Sequence, residues 1–187
     1  MQARGKKINI KIALEIGCGK PKHKLTGEMV EIANNNKYIG LDKTNFGQNL
    51  IADAHALPLR ENSIDFVLCR ATLEHLEQPF KAVDEIYRVL KPGGLCHATV
   101  PFIFGFHRED KYNDYFRFTH EGMKLLFKSF EQVKLVPQYG AIETIAKLTP
   151  LAILPKFPRL IIFKLIKLLD IPSRNTSLWY SVFKKSE

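Results

Sequence analysis

The sequence predicts an α/β fold: a three-layer αβα sandwich around a mostly parallel seven-stranded sheet with an antiparallel last strand. Three observations predict it. Short apolar runs alternate with helix-period segments, a glycine turn follows the first run, and the final strand-like run has no clear covering helix before it. At 187 residues the chain suits one domain spanning 1–187, since one core commonly supports about 100–200 residues. Hydrophobic residues at 45% and charged residues at 25% match an ordinary globular protein and favour neither global disorder nor a polytopic membrane protein.

The elements follow in order. Ile12 to Ile16 reads as a first strand ending at Gly17-Cys18-Gly19, with a helix around Leu25 to Ala33. Tyr38 to Leu41 and Leu50 to Ala52 read as the second and third strands, and Ile64 to Leu68, after the turn-like Arg60-Glu61-Asn62-Ser63, as the buried fourth. Pro79 opens a helix whose Val83, Ile86, Tyr87 and Leu90 share a face at i, i+3, i+4, i+7 spacing. Lys91-Pro92-Gly93-Gly94 is expected to stop it, and Leu95 to Val100 to form strand five. Thr119 is a candidate N-cap for a helix burying Met123, Leu126, Phe127 and Phe130. Val133 to Val136 and Leu178 to Phe183 complete the strands. Between these two lies a very apolar, basic stretch, expected to be a helical insertion at 141–170.

The formal net charge of +9 favours anionic partners in general and says nothing about the fold. Cys18, Cys69 and Cys96 lack CxxC spacing and sit in or beside apolar runs, as reduced thiols of a cytoplasmic protein do. The basic N-terminus is not followed by an apolar h-region, so no secretory signal is expected.

A glycine turn after a buried strand lets backbone N–H groups approach a polar ligand at the strand ends, and Gly17 and Gly19 fit that place. Asp42 closes the second strand about 20–25 residues later, where an acid accepts from ribose hydroxyls. Together they point to an adenosine ligand without choosing the cofactor. The dinucleotide fingerprint wants a third glycine where Lys22 stands, which disfavours a dehydrogenase.

Leu14-Glu15-Ile16-Gly17-Cys18-Gly19, Leu41-Asp42, Ala52-Asp53-Ala54-His55-Ala56-Leu57-Pro58-Leu59, Ser63-Ile64-Asp65-Phe66-Val67, Leu73-Glu74-His75-Leu76 and Leu90-Lys91-Pro92-Gly93-Gly94 occur in this order. In motif and spacing they resemble the class I S-adenosylmethionine-dependent methyltransferases, whose fold is Rossmann-like. The likeness is greatest to the compact group that includes the ubiquinone and menaquinone biosynthesis enzymes. The resemblance implies that Glu15, Gly17, Cys18 and Gly19 line the methionine end of S-adenosylmethionine, which leaves as S-adenosylhomocysteine. It also implies that Asp42 binds ribose, Asp53 with Ala54 holds adenine, and the Arg70 backbone meets the amino group. Pro21 stands where the family often has a third small glycine, removing an N–H and stiffening the turn.

After strand five, the loop from Pro101 to Thr119 faces the ligand crevice in such a sheet. Its aromatics, Phe106 among them, are expected to shape an apolar acceptor pocket, with Asp114, Tyr115 and Arg117 orienting polar groups. His107 is the candidate general base for a hydroxyl acceptor, and His75 a second candidate on the acceptor side. His23, His97 and His120 have no metal-ligand spacing with the cysteines, so no metal is expected.

The expected activity is direct methyl displacement onto a small-molecule or lipid-like acceptor. The alternative is a methyltransferase-like cofactor- or partner-binding protein without catalysis. A nucleic-acid methyltransferase is disfavoured, because no appended RNA-binding module and no motif for base amino groups is present. The apolar, basic 151–169 segment suits a cap on the acceptor pocket, a homodimer contact or peripheral membrane contact, and is too interrupted by Pro155 and Pro158 to span a bilayer.

Overall fold

The computed structural model describes residues 2–3, 6–7, 10–19, 37–108, 111–139, 144 and 176–187. The expected helix at Leu25 to Ala33, the turn residues Pro21 and Lys22, and the expected insertion at 141–170 apart from Thr144 lie outside the described residues.

The sheet contains β1 (Ile12–Ile16), β2 (Lys37–Asp42), β3 (Leu50–Ile51), β4 (Ile64–Arg70), β5 (Leu90–Pro101), β6 (Glu131–Pro137) and β7 (Leu178–Lys184). Their spatial order is β3-β2-β1-β4-β5-β7-β6. The first five run parallel, and β7 lies antiparallel between β5 and β6. The expected mostly parallel sheet with an antiparallel last strand is the one found. A separate short hairpin pairs Gln2–Ala3 with Lys6–Lys7.

Central parallel strands are buried on both faces, and this is why they read as apolar runs rather than alternations. Leu14, Ile16, Val67, Cys69, Cys96, Ala98 and Val100 face one cluster, while Ala13, Phe66, Leu68, Leu95 and Val182 face the other. The first cluster is covered by α1 (Pro79–Val89) and α2 (His120–Leu126). Pro79 starts α1, where a missing N–H costs nothing, and Ala82, Val83, Ile86 and Val89 are its buried face. Thr119 caps α2, its hydroxyl accepting from the Gly122 N–H at 3.0 Å.

Two boundaries differ from expectation: α2 ends at Leu126, so Phe127 and Phe130 join the core from the turn that follows it, and α1 ends before Leu90. Leu90 is not helical: its backbone is already extended (ψ 138°), and it pairs with Ile64 as the first residue of β5. Lys91 to Gly94 therefore belong to an irregular start of that strand, with the register shifting before Phe66 meets Leu95. Gly93, at φ +77°, allows the detour, and Gly93 and Gly94 hydrogen-bond to the backbone of Lys185.

Candidate active site

The strand order reverses between β1 and β4, the position where open α/β sheets leave a crevice beyond their strand ends. The register sets Ile16 beside both Leu41 and Cys69, so the C-terminal ends of β1, β2 and β4 lie level there. Gly17 (φ +66°) and Gly19 (φ +54°) turn the chain out of β1 in a left-handed conformation that side chains resist. At Gly17 there is also no room: an added Cβ would meet Thr72 Oγ1 at 2.3 Å. At Gly19 no atom of the described residues lies within 4 Å of that position.

Acidic side chains hold this turn. Asp42 Oδ2 accepts from the Gly19 N–H and Oδ1 from the Thr44 N–H, each at 3.0 Å. The Cys18 N–H donates to Leu41 O at 3.1 Å. Burial, with Glu15 and Asp42 nearby, pushes the Cys18 thiol up to about 12, which makes it an inert packing group. Glu15 is buried and doubly engaged: Arg70 Nη2 donates to Oε1 at 3.0 Å, and the Tyr38 hydroxyl donates to Oε2.

Asp53 closes a turn on its own chain, accepting from the His55 N–H at 2.9 Å and contacting His55 Nδ1 at 2.6 Å. The His55 backbone bond and its neighbours hold the Asp53 carboxyl down at about 2. Ala54 is buried beside it. The structure thus brings Glu15, Gly17, Cys18, Gly19, Asp42 and Arg70 together and places Asp53 and Ala54 in the following loop, where Lys43 reaches Asp53 at 3.3 Å.

The second group grows from β4. Ala71, at φ +45°, makes a sharp exit, and Thr72 packs over Gly17 while its hydroxyl shares a proton between Ile16 O (3.2 Å) and Arg70 O (3.0 Å). The 3₁₀ turn Leu73–His75 follows, with Glu74 fully buried. Its backbone carbonyl accepts from the N–H groups of Tyr115 (2.8 Å) and Phe116 (3.2 Å), which fastens the loop after β5 against this turn. Burial pushes the Glu74 carboxyl up to about 8, and neither carboxylate oxygen has a hydrogen-bond partner among the described residues.

His75 and His107 meet over Glu74, their rings 4.9 Å apart and edge to face. Each places Nε2 at 3.9 Å from Glu74 Oε1. Burial lowers the pKa of His75, favouring the neutral ring. Asp114 and Arg117, expected to orient acceptor groups, spend their charges on each other through contacts of 2.5 and 2.6 Å. That pairing holds the Asp114 carboxyl far below its ordinary range. Asp114 also accepts from the His107 N–H at 2.9 Å, so the pair positions His107. Tyr115 is partly exposed and donates to Glu77 at 2.7 Å, and Phe106 is 77% exposed.

Sequence reasoning passed over Thr72 and Glu74. Thr72 carries no linear signal. Glu74 had one: an acid between Leu73 and His75-Leu76 in an apolar stretch, the kind of residue seldom buried without a purpose.

Residues 14–98 match the methyltransferase domain family. An uncharacterized methyltransferase of Mycobacteroides abscessus is 46% identical over 47 residues, 25% of this chain and 18% of that protein. A demethylmenaquinone methyltransferase of Oceanobacillus iheyensis is 28% identical over 153 residues, 68% of this chain and 62% of that protein. The chain thus spans less than two thirds of the length of these relatives. Among solved structures, a SAM-dependent methyltransferase from Archaeoglobus fulgidus superposes with a TM-score of 0.61 at 18% identity, covering 95% of this chain and 87% of its own.

Proposed function

From a chain that has the fold of the class I S-adenosylmethionine-dependent methyltransferases and carries their domain at 14–98, we propose methyl transfer from S-adenosylmethionine to a small-molecule or lipid-like acceptor. One observation carries the reading: the β1–β4 crevice gathers a glycine turn, a strand-end aspartate and a Glu15–Arg70 ion pair at one place. This donor set suits a nucleoside with an amino-acid end. Asp42 retains lone pairs for ribose hydroxyls, and the Glu15–Arg70 pair offers one anion and one cation to an ammonium–carboxylate group. Gly19 leaves the approach open, and Asp53 with Ala54 is assigned to the adenine.

When bound, the sulfonium supplies a methyl whose bond to sulfur breaks, its electron pair remaining on sulfur as the acceptor's lone pair forms the new bond. This chain's residues then have to place the acceptor in line and take its proton. The Nδ1 of His107 faces the Gly105 carbonyl at 3.1 Å, which leaves Nε2 as the proton-accepting atom. Asp114 and Arg117 hold that ring, while His75, Tyr115 and Phe106 border the acceptor side.

A quinone-like acceptor is supported by the demethylmenaquinone methyltransferase relative. Contact of 151–169 with an anionic membrane surface suits such an acceptor in a cytoplasmic, membrane-peripheral enzyme. No helix among the described residues is long and apolar enough to cross a membrane.

Calorimetry with S-adenosylmethionine, followed by transfer of labelled methyl into fractionated cell extract, tests the reading. Label in the lipid or small-molecule pool is expected. Cofactor binding without transfer would favour a non-catalytic binding protein, and absence of binding would remove the proposal. Flotation with anionic liposomes at low salt tests the membrane contact, which absence of association would exclude.

A further inference from the structure

We propose that Glu74, His75 and His107 form a binding site for a divalent transition metal of the zinc class, next to the glycine turn. The ligand atoms of these three residues all lie within 4.8 Å of one another.

Arg117 has five N–H hydrogens, and the structure uses all of them. Nε donates to Phe104 O at 3.1 Å. Nη1 donates to Asp114 Oδ1 and Phe116 O, and Nη2 to Asp114 Oδ2 and Gly105 O. Nη2 also lies 3.3 Å from His107 Nδ1, but both of its hydrogens already serve Asp114 Oδ2 and Gly105 O at shorter distances. Two acceptors, Gly105 O at 3.1 Å and Asp114 Oδ2 at 3.3 Å, face His107 Nδ1, and this nitrogen is taken as the one that carries the hydrogen. His75 Nδ1 faces the Asn113 carbonyl at 2.6 Å, an atom that only accepts, so it too is protonated. In both neutral rings Nε2 is left with a bare lone pair.

Those two lone pairs meet a carboxylate whose side chain is 1% exposed and whose oxygens have no hydrogen-bond partner among the described residues. Both separations from Oε1, 3.9 Å, are too long for a hydrogen bond. They are near the spacing of ligands on a common ion, since bonds of about 2.0–2.2 Å at tetrahedral angles separate ligand atoms by about 3.4 Å. A cation satisfies all three donors at once and stabilises the ionised form of a carboxyl group that burial otherwise disfavours. Arg117 does not supply that charge, being committed to Asp114.

Two imidazoles and one carboxylate suit zinc and its neighbours, and three protein ligands leave a position open for water or an acceptor oxygen. The Nδ1–H bonds to backbone carbonyls are the outer contacts that fix metal-binding histidines. With the ion bound, His107 serves as a ligand, and the ion lowers the pKa of the coordinated oxygen; in the metal-free protein its Nε2 remains the base. This replaces the expectation of no metal, which considered only spacing between other histidines and cysteines.

The test uses untagged full-length protein, stripped with chelator and titrated with zinc chloride and, separately, cobalt chloride. One equivalent bound at or below micromolar Kd is expected, with visible cobalt bands of four- or five-coordination and no thiolate charge-transfer band. Glu74→Gln and His107→Ala are each expected to weaken binding at least tenfold, and His120→Ala to leave it unchanged. Lack of stoichiometric binding by the wild-type protein overturns the proposal, as does equal binding by folded Glu74→Gln; if a variant does not fold, the wild-type cobalt spectrum decides. Because the readout is metal content and colour, its failure is distinct from failure to bind S-adenosylmethionine.

Discussion

At Gly17 two requirements coincide, a φ of +66° and a Thr72 side chain where a Cβ would stand. Gly17→Ala is expected to destabilise the fold by about 2–4 kcal/mol, combining backbone strain and overpacking. Gly19→Ala meets only the strain and should cost about 1 kcal/mol. Urea denaturation of both variants checks the order, and Thr72→Ala should recover part of the Gly17→Ala loss but none of the Gly19→Ala loss. His97 offers a pH test. It is buried in β5, against the Tyr180 ring at 4.4 Å, and neither ring nitrogen has a hydrogen-bond partner among the described residues. Burial, assisted by Arg70, pulls its pKa from the ordinary 6.5 to about 4. Between those values the unfolded chain binds the extra proton, so the contribution of His97 to stability is full above pH 6.5 and falls as the pH drops toward 4, while that of Glu74, raised to about 8, changes in the opposite sense. The His97 loss should approach about 3 kcal/mol at the lower end. The difference between wild type and His97→Leu in melting curves at pH 7.5, 6.0 and 5.0 isolates this contribution, and the variant should gain relative stability as the pH falls.

At the scale of elements, α1 shows how a helix end is closed from a distance. Lys185, just after β7, donates through Nζ to Tyr87 O and Leu90 O, each at 2.9 Å, and to Asn62 Oδ1 at 2.8 Å. A cation placed on the last carbonyls satisfies orphan acceptors and opposes the negative end of the helix dipole. Lys185→Met is expected to cost about 1–2 kcal/mol in urea denaturation, and Lys185→Arg less. Pro79, Thr119 and most of the apolar faces of both helices were legible from composition and period, because those signals act within one or two turns; Leu90, Phe127 and Phe130 fit the period but lie beyond the helix ends. The extension of β5 back to Leu90 was not, since Lys91-Pro92-Gly93-Gly94 reads as a stop, and only pairing with Ile64 and Lys185 makes it strand.

Across the whole molecule, β7 ties the parallel half of the sheet to β6. It pairs with β5 from Leu178↔Pro101 to Lys184↔Leu95 and with β6 on its other side. Phe183 stacks on Phe127 with ring centroids 4.2 Å apart and planes 5° from parallel, joining this strand to the segment after α2. Phe183→Ala should destabilise the protein by about 3–5 kcal/mol, measured by chemical denaturation, with β5, β7 and the region after α2 losing hydrogen-exchange protection together.

The glycine turn, the aspartate at the end of β2 and the strand pattern were readable in the chain, because each is a local preference or a period of two or 3.6 residues, and the antiparallel last strand was readable because no clear covering helix precedes it in the sequence. The convergence of Glu74, His75 and His107 was not. His107 lies far along the chain from the 3₁₀ turn, and its loop is held there by Tyr115 and Phe116 bonding to the Glu74 carbonyl and by Asn113 O meeting His75 Nδ1. The roles of Asp114 and Arg117 also came from tertiary structure: the sequence shows two charges in a crevice loop, but whether they face a ligand or each other depends on distances that no linear spacing contains.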